Sequence, residues 1–354
     1  MDNRNTQTFP GRLALQQRVV PTYRAPFFDL LAKSCQGGLS LFAGQPLPVE
    51  SISTTKHLES AEIVQAQNRH LCDPQSTFYL CWQRGVINWL DSQNPKALIV
   101  EANPRYLSTY GAVRWMKQRQ RPVLGWGLGA AQNGNPLERY FRQIFLKSLD
   151  GLISYSQRGA DEYHALGLET VFVAHNAVSR RPQHRLPKRS LTFTNAPMVL
   201  FVGRLQERKR IDILLTSCAG LPAALQPRLV IVGDGPALPG LQSLAKQVYP
   251  QAEFAGAKHG PELASYFADA DLFALPGTGG LAVQEAMSYG LPVVVAQGDG
   301  TPDDLVRPKN GWQVPPGDQT AFKNTLQEAL SNVNRLRKMG AESYRIVAVE
   351  INLE

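Results

Sequence analysis

Short apolar runs of strand length recur along this chain between segments of helix length, and no other feature limits its fold so strongly. A run of four to eight apolar residues closed by turn residues reads as a buried strand. Strands that alternate with helical patterns read as crossover units and a parallel sheet. The runs fall at 13–20, closed by Pro21, then at 38–43, 78–82, 97–100, 123–126, 151–155 and 170–174. A second series opens with "MVLFVG" at Met198 and continues through "RLVIVGDGP", "AEFAG", "DLFALP", "PVVVA" and "GWQV", with a helix from Asp318. The expected class is α/β, with two Rossmann-like doubly wound domains. At 354 residues the chain exceeds what one core usually supports. The first domain is expected over 1–178 and the second over 198–354. Between them 179–197, rich in Arg and Pro with little apolar periodicity, reads as a linker.

Composition removes several classes. The chain is 43% hydrophobic and 19% charged, and no apolar run approaches the ~18 residues of a membrane span. Cys35, Cys72, Cys81 and Cys218 lie far apart, so neither a zinc site nor a disulfide framework is expected. No secretory leader is visible, and the cytoplasm is the expected location. The net charge of +8 is uneven: residues 1–190 hold 23 Lys and Arg against 13 Asp and Glu, whereas the remainder is slightly acidic. A basic half points to an anionic partner surface, such as the inner face of a membrane. Nucleic acid is not an expected partner, because the basic residues are not interleaved with aromatics and no zinc or helix-turn-helix signature accompanies them.

Parallel sheets place their sites at strand C-termini. In the second half, "PGTGGLAVQE" (276–285) runs from a strand into a helix. Helix-opening amides lack internal partners and carry the positive end of the macrodipole, so Thr278, Gly279, Gly280 and Leu281 suit an anion such as phosphate. Glu285, further along the helix, can accept hydrogen bonds from sugar hydroxyls. Gly203, Arg204, Lys209 and Lys258 stand on neighbouring strand exits. In the first half, Tyr23 and Arg24 follow one strand, Glu101 and Asn103 another and Trp126 a third, while His175 precedes the boundary. These are the candidate acceptor or cleft residues. A lone G-x-G-x-x-G after a first strand and G-x-x-x-x-G-K-[ST] are both absent.

The segments "FVGRL-x3-KR-x-D-x-LL", "LVIVGDGP", "F-x-G", "ADLFALP", "GLAVQEAM-x2-GLPVVV" and "NGW-x-VPPGD", in that order over roughly 198–330, resemble the retaining glycosyltransferases of family 4. The resemblance implies a GT-B architecture, with two Rossmann-like domains facing across a cleft, a nucleotide-sugar donor on the C-terminal one and a glycan or lipid-linked acceptor on the N-terminal one. It implies that Arg204 and Lys209 are the catalytic basic pair that neutralises the donor diphosphate, and that Glu285 is the second glutamate of an E-x7-E motif, binding ribose. Neither metal nor cofactor is then required. The sequence departs from the family where the first glutamate of the motif is absent, and its first half lacks the usual glycine pair after the first strand and a clear counterpart of the family's N-domain histidine. A phosphorylase or a sugar-nucleotide synthase on the same fold is the alternative. It needs a free-phosphate or sugar-phosphate site that no motif supplies.

Overall fold

Strand β1 (Leu13–Val19) is buried along nearly its whole length, although it carries Gln16 and Gln17 as well as leucines. In the computed structural model, which describes residues 8–354 apart from 51, 74–75, 77, 131–135, 194, 280 and 299–300, helices cover both faces of its sheet. The chain divides into two units, Met1–Val178 and Ser179–Glu354.

In the first unit β1 is followed by α1 (Ala25–Lys33), β2 (Leu39–Gly44), β3 (Glu62–Gln65), β4 (Gln67–Leu71), β5 (Leu80–Arg84), α2 (Val86–Gln93), β6 (Ala97–Glu101) and α3 (Leu107–Lys117). Then come β7 (Val123–Gly127), α4 (Pro136–Lys147), β8 (Gly151–Ser154), α5 (Gln157–Ala165) and β9 (Val171–Val173). The parallel sheet has the order β3-β2-β1-β6-β7-β8-β9. Leu15 lies opposite both Leu41 and Ile99. Alternate residues feed two cores, one holding Ala14, Leu98, Val100 and Phe145, the other Leu13, Leu15, Phe28, Leu41 and Ile99. Burial of one such Leu or Phe contributes ~1.5–3 kcal/mol.

The expectation at 78–82 is corrected. That stretch does not join the parallel sheet; its latter part begins β5, which pairs antiparallel with β4 in a separate two-stranded hairpin. The third parallel strand is β3, half-exposed at the sheet edge. The hairpin is fastened to β1 through a buried amide pair, Gln16 Nε2 donating to Gln83 Oε1 at 2.9 Å. His70 is on β4 with Nδ1 2.8 Å from the Tyr79 hydroxyl.

The second unit contains β10 (Met198–Val202), α6 (Ile211–Ala219), β11 (Arg228–Val232), α7 (Leu238–Val248), β12 (Glu253–Gly256), α8 (Gly260–Asp269), β13 (Leu272–Leu275) and α9 (Leu281–Ser288). It continues with β14 (Val293–Ala296), α10 (Thr301–Leu305), β15 (Gly311–Val314), α11 (Gln319–Leu330) and α12 (Val333–Arg345). The sheet is parallel in the order β12-β11-β10-β13-β14-β15. β13 and β14 are buried at every residue, as expected of strands covered on both faces. Asp318 and Asn332 start α11 and α12 by accepting the backbone N–H groups of Ala321 and Arg335 at 2.8 and 3.0 Å.

The Arg- and Pro-rich stretch from Ser179 belongs to this unit and is fastened to it. The half-buried guanidinium of Arg189 donates to the carbonyls of Ala270, Tyr289 and Phe267 at 2.7, 2.8 and 2.9 Å. These carbonyls lie at or just beyond the ends of α8 and α9, where a cation also suits the helix dipole. Truncation strands several carbonyls at once. Arg189→Ala is expected to lower the unfolding free energy of this unit by about 2–3 kcal/mol, read by chemical denaturation, with Arg189→Lys recovering only part.

Candidate functional site

Each sheet has one place where the strand order reverses, between β1 and β6 in the first unit and between β10 and β13 in the second. Connections leave such a point in opposite directions, so a crevice opens beyond the strand ends. Most of the candidate residues gather at these two places.

In the second unit, Gly203 ends β10 with its N–H on the Val232 carbonyl at 3.0 Å. Arg204 follows, exposed, and among the described residues its guanidinium has no hydrogen bond or ion pair. A 3-10 turn, Glu207–Lys209, then brings the chain against the turn after β13. Thr278 N–H donates to the Arg208 carbonyl at 3.0 Å, Arg208 Nη1 to Thr278 Oγ1 at 3.2 Å and Lys209 Nζ to the Thr278 carbonyl at 2.6 Å. Gly277 makes this contact possible, since a Cβ there would fall on the Arg208 carbonyl and the Lys209 backbone. Gly277 also stands eight residues before Glu285, the place of the first glutamate in an E-x7-E pattern. No side chain fits there while the two loops touch, so the missing carboxylate is a consequence of the turn's geometry. Gly279 has φ of +131° and faces the Lys209 ammonium.

Burial first, and then the charge of Arg208, pull the Lys209 amine down to about 8. Glu285 sits half-buried on α9, where burial alone pushes its carboxyl above the usual range. No described residue donates a hydrogen bond to that carboxylate. The site thus holds a desolvated amine, a free guanidinium and an unsatisfied carboxylate, a set suited to a ligand with an anion and hydroxyls. Leu281, 39% exposed, opens α9, and Gly280 lies outside the described residues. Lys258 is not brought to this group: it pairs with Glu262 at 3.5 Å and lines a separate cavity with Arg228 and Tyr266.

In the first unit, Tyr23, Arg24, Glu101, Asn103 and Trp126 line one cavity of about 750 Å3 at the β1/β6 reversal. Arg24 is boxed by aromatic rings, its guanidinium carbon 4.7 Å from the centre of Tyr155 and 5.2 Å from that of Trp126, and it donates to the Tyr155 hydroxyl at 2.7 Å. Glu101 accepts the Arg18 N–H at 2.8 Å, and burial raises its carboxyl despite that bond and the nearby arginines. Asn103 performs turn chemistry, its Oδ1 accepting the Arg105 N–H at 3.1 Å. His175 is exposed and borders a much smaller cavity beside Arg24 and Trp126.

Sequence reasoning missed Arg18, paired with Glu50 at 2.7 Å, and Tyr155 and Arg142, which line the large cavity. Arg18 stands near the end of the first strand, and the strand-exit rule that found Tyr23 applies to it. Nothing in the sequence alone points to Arg142, which arrives from α4.

Residues 183–346 match the family model described as glycosyl transferases group 1. The match lies in the second unit, which is similar to the group 1 glycosyltransferases. Over 153 residues it is 39% identical to a GDP-mannose-dependent alpha-mannosyltransferase of Mycobacterium tuberculosis, covering 42% of this chain and 37% of that protein. Over 209 residues it is 30% identical to the sulfoquinovosyl transferase SQD2 of Arabidopsis thaliana, covering 51% and 40%. The match thus spans about two fifths of these relatives' length. Solved structures align over nearly the whole chain: the sucrose-phosphate synthase of Thermosynechococcus elongatus at TM-score 0.70 and 18% identity, covering 96% of this chain and 95% of that one. Anabaena HepE in complex with UDP aligns at 0.71 and 16%, covering 97% and 96%. The fold is GT-B.

The electrostatics at Lys209 are directly measurable. Amine labelling of Lys209, followed by mass spectrometry across pH, is expected to rise with a midpoint near 8, against roughly 10.4 for an ordinary lysine. Inorganic pyrophosphate is expected to move that midpoint upward, because a neighbouring anion favours the charged amine.

Proposed function

We propose that this chain is a retaining, metal-independent glycosyltransferase of family 4, which moves a sugar from a nucleoside diphosphate to an acceptor hydroxyl in polysaccharide or glycolipid assembly. The observation that carries the reading is the second unit's switch point. There an unpaired Arg204, a desolvated Lys209 and an unsatisfied Glu285 belong to a group 1 glycosyltransferase domain. Relatives named for GDP-mannose and a structural neighbour holding UDP support a nucleoside-diphosphate donor.

In this reading the diphosphate lies against Arg204, Lys209 and the opening of α9, and Glu285 accepts hydrogen bonds from the ribose. As the glycosidic bond breaks, negative charge grows on the β-phosphate. Fixed cations and helix-terminal amides favour that charge where it develops. With retention by front-face attack, the leaving phosphate oxygen takes the acceptor's proton, and no strong protein base is needed. The first-unit cavity, with Arg24 and Glu101, receives the acceptor.

Two variants separate the roles. A hydrogen bond to a charged group contributes ~1.5–3 kcal/mol, so Glu285→Gln is expected to weaken nucleoside-diphosphate affinity roughly ten- to a hundredfold by calorimetry, with the fold intact. Unchanged affinity would remove Glu285 from the site. Arg204→Ala is expected to lower kcat more than it weakens nucleotide binding, since the charge it meets is largest in the transition state.

The pH dependence follows from the two perturbed groups. Ribose hydroxyls bind the ionised Glu285, so affinity falls as pH drops and the raised carboxyl takes its proton. The diphosphate binds the charged Lys209, so affinity falls again as pH climbs past about 8. Calorimetry across this range with the wild-type chain is expected to show both limbs. The alkaline limb is expected to disappear in Lys209→Met.

A further inference from the structure

The exit loop of β10 carries four cations, of which Arg210 pairs with Asp212 at 2.9 Å. Among the described residues the other three, Arg204, Arg208 and Lys209, form no ion pair. Arg208 and Lys209 reach the same residue of the facing loop, with Arg208 Nη1 3.2 Å from Thr278 Oγ1 and Lys209 Nζ 2.6 Å from the Thr278 carbonyl. Like charges held side by side repel, and the charge of Arg208 adds to burial in lowering the Lys209 amine. The acids of the neighbouring loops are turned elsewhere. Glu207 lines a different cavity with Arg210 and Asp212, and Asp234 accepts the N–H of Gly235 on its own turn at 2.7 Å. Glu285 is shifted by burial alone, with no cation set against it.

The balance of charge indicates what else the ligand carries. Each phosphate of a nucleoside-diphosphate ester bears one negative charge, so Arg204 and Lys209 balance the diphosphate, and the amides that open α9 favour the same anion. Arg208 is left over. Its guanidinium is held in place by Nε donating to Gln206 Oε1 at 3.0 Å and by Nη1 on Thr278, while Nη2 makes no hydrogen bond among the described residues. A planar fork that is already positioned and still has donors to offer fits a carboxylate better than a hydroxyl. Its place along the ligand follows from the order of the site. With ribose at Glu285, within α9, and the diphosphate at the helix opening, the sugar comes to the turn before the helix, where Arg208 meets Thr278 and where Gly277 leaves no room for an acid. We infer that the transferred sugar is a uronic acid, whose carboxylate lies on the Arg208 guanidinium beside Thr278. The inference rests on the proposed reaction and adds the class of its donor. The carboxylate passes through transfer unchanged: the bond from the anomeric carbon to the phosphate oxygen breaks, the bond to the acceptor oxygen forms, and the acceptor's proton leaves with the phosphate.

Calorimetry of the full chain with matched sugar nucleotides tests the inference, with UDP-glucuronic acid set against UDP-glucose and GDP-mannuronic acid against GDP-mannose. Within the pair whose base is accepted, the acidic member is expected to bind roughly tenfold or more tightly than the neutral one. Arg208→Gln is expected to remove most of that preference by weakening the acidic member, and Arg208→Lys to recover only part of it, because an ammonium lacks the planar fork. If Arg208→Gln misfolds, phenylglyoxal labelling of the wild-type chain gives the same answer: modification of Arg208, located by mass spectrometry, is expected to fall severalfold with the acidic member and much less with the neutral one. Equal affinity within the accepted pair would overturn the inference and leave the proposed reaction standing. So would a preference that survives Arg208→Gln in a folded chain. Failure to bind any of the four nucleotides would overturn the proposed reaction and the inference with it.

Discussion

A parallel strand can rejoin its sheet only through a crossover, and this constraint organises everything else in the chain. Crossovers cover both faces, so strand interiors must be apolar throughout, as β13 and β14 are. Polar residues are then displaced to the strand ends. At the point where strand order reverses, the ends are also left open. Both units obey the same rule, which is why Arg18, Arg24 and Glu101 gather in one and Arg204, Lys209 and Thr278 in the other without any sequence relation between the two groups. Stability resides in the strands and chemistry at their exits.

What fixes the exit geometry in the second unit is a contact between two loops. Backbone meets backbone at Gly277 and Arg208, and the hydrogen bonds of Thr278 to Arg208 and Lys209 close the contact. Its consequence is chemical as well as structural. With no side chain possible at 277, the carboxylate that the resemblance would place there is excluded, and the Thr278 carbonyl and hydroxyl lie where side chains of the first loop reach them. Within the proposed reading, the sugar of the donor is met by backbone and by Arg208 and Thr278 rather than by a second acid.

Much of this was legible in the sequence because burial on both faces leaves a plain mark. Runs such as "VLFV" and "VVVA" can be little else, and glycine turns after them announce the exits. The failures have an equally physical cause. β3 is an edge strand with Glu62 and Gln65 exposed, and β4 reads "QNRHL", so neither carries an apolar run. The nearest apolar residues, at 78–82, drew the reading to the wrong place. Among site residues, those on strand exits could be found from position. Lys258 could not be judged, because its partner Glu262 depends on how α8 starts. The absent first glutamate was visible as a departure, but its reason appears only when the Arg208 carbonyl is seen against Gly277.

The two sites differ in how their charges are balanced. In the first unit Arg18 has Glu50 at 2.7 Å, and Arg24 has the Tyr155 hydroxyl and aromatic faces, so the cavity's cations are already partnered before any ligand arrives. In the second, burial penalises Lys209 and Glu285 in opposite directions and no described residue supplies either with a countercharge. An unpaired desolvated group destabilises the free state, and that cost is recovered when a partner binds. One ligand with an anion at one end and hydroxyls at the other relieves both groups at once. A ligand offering only one of these leaves the other unrelieved. Within the proposed reading, discrimination for the whole nucleoside diphosphate over phosphate or nucleoside alone follows from this imbalance. Within the same reading, the first-unit cavity gains less from any single charge and selects its acceptor by shape and by the rings around Arg24.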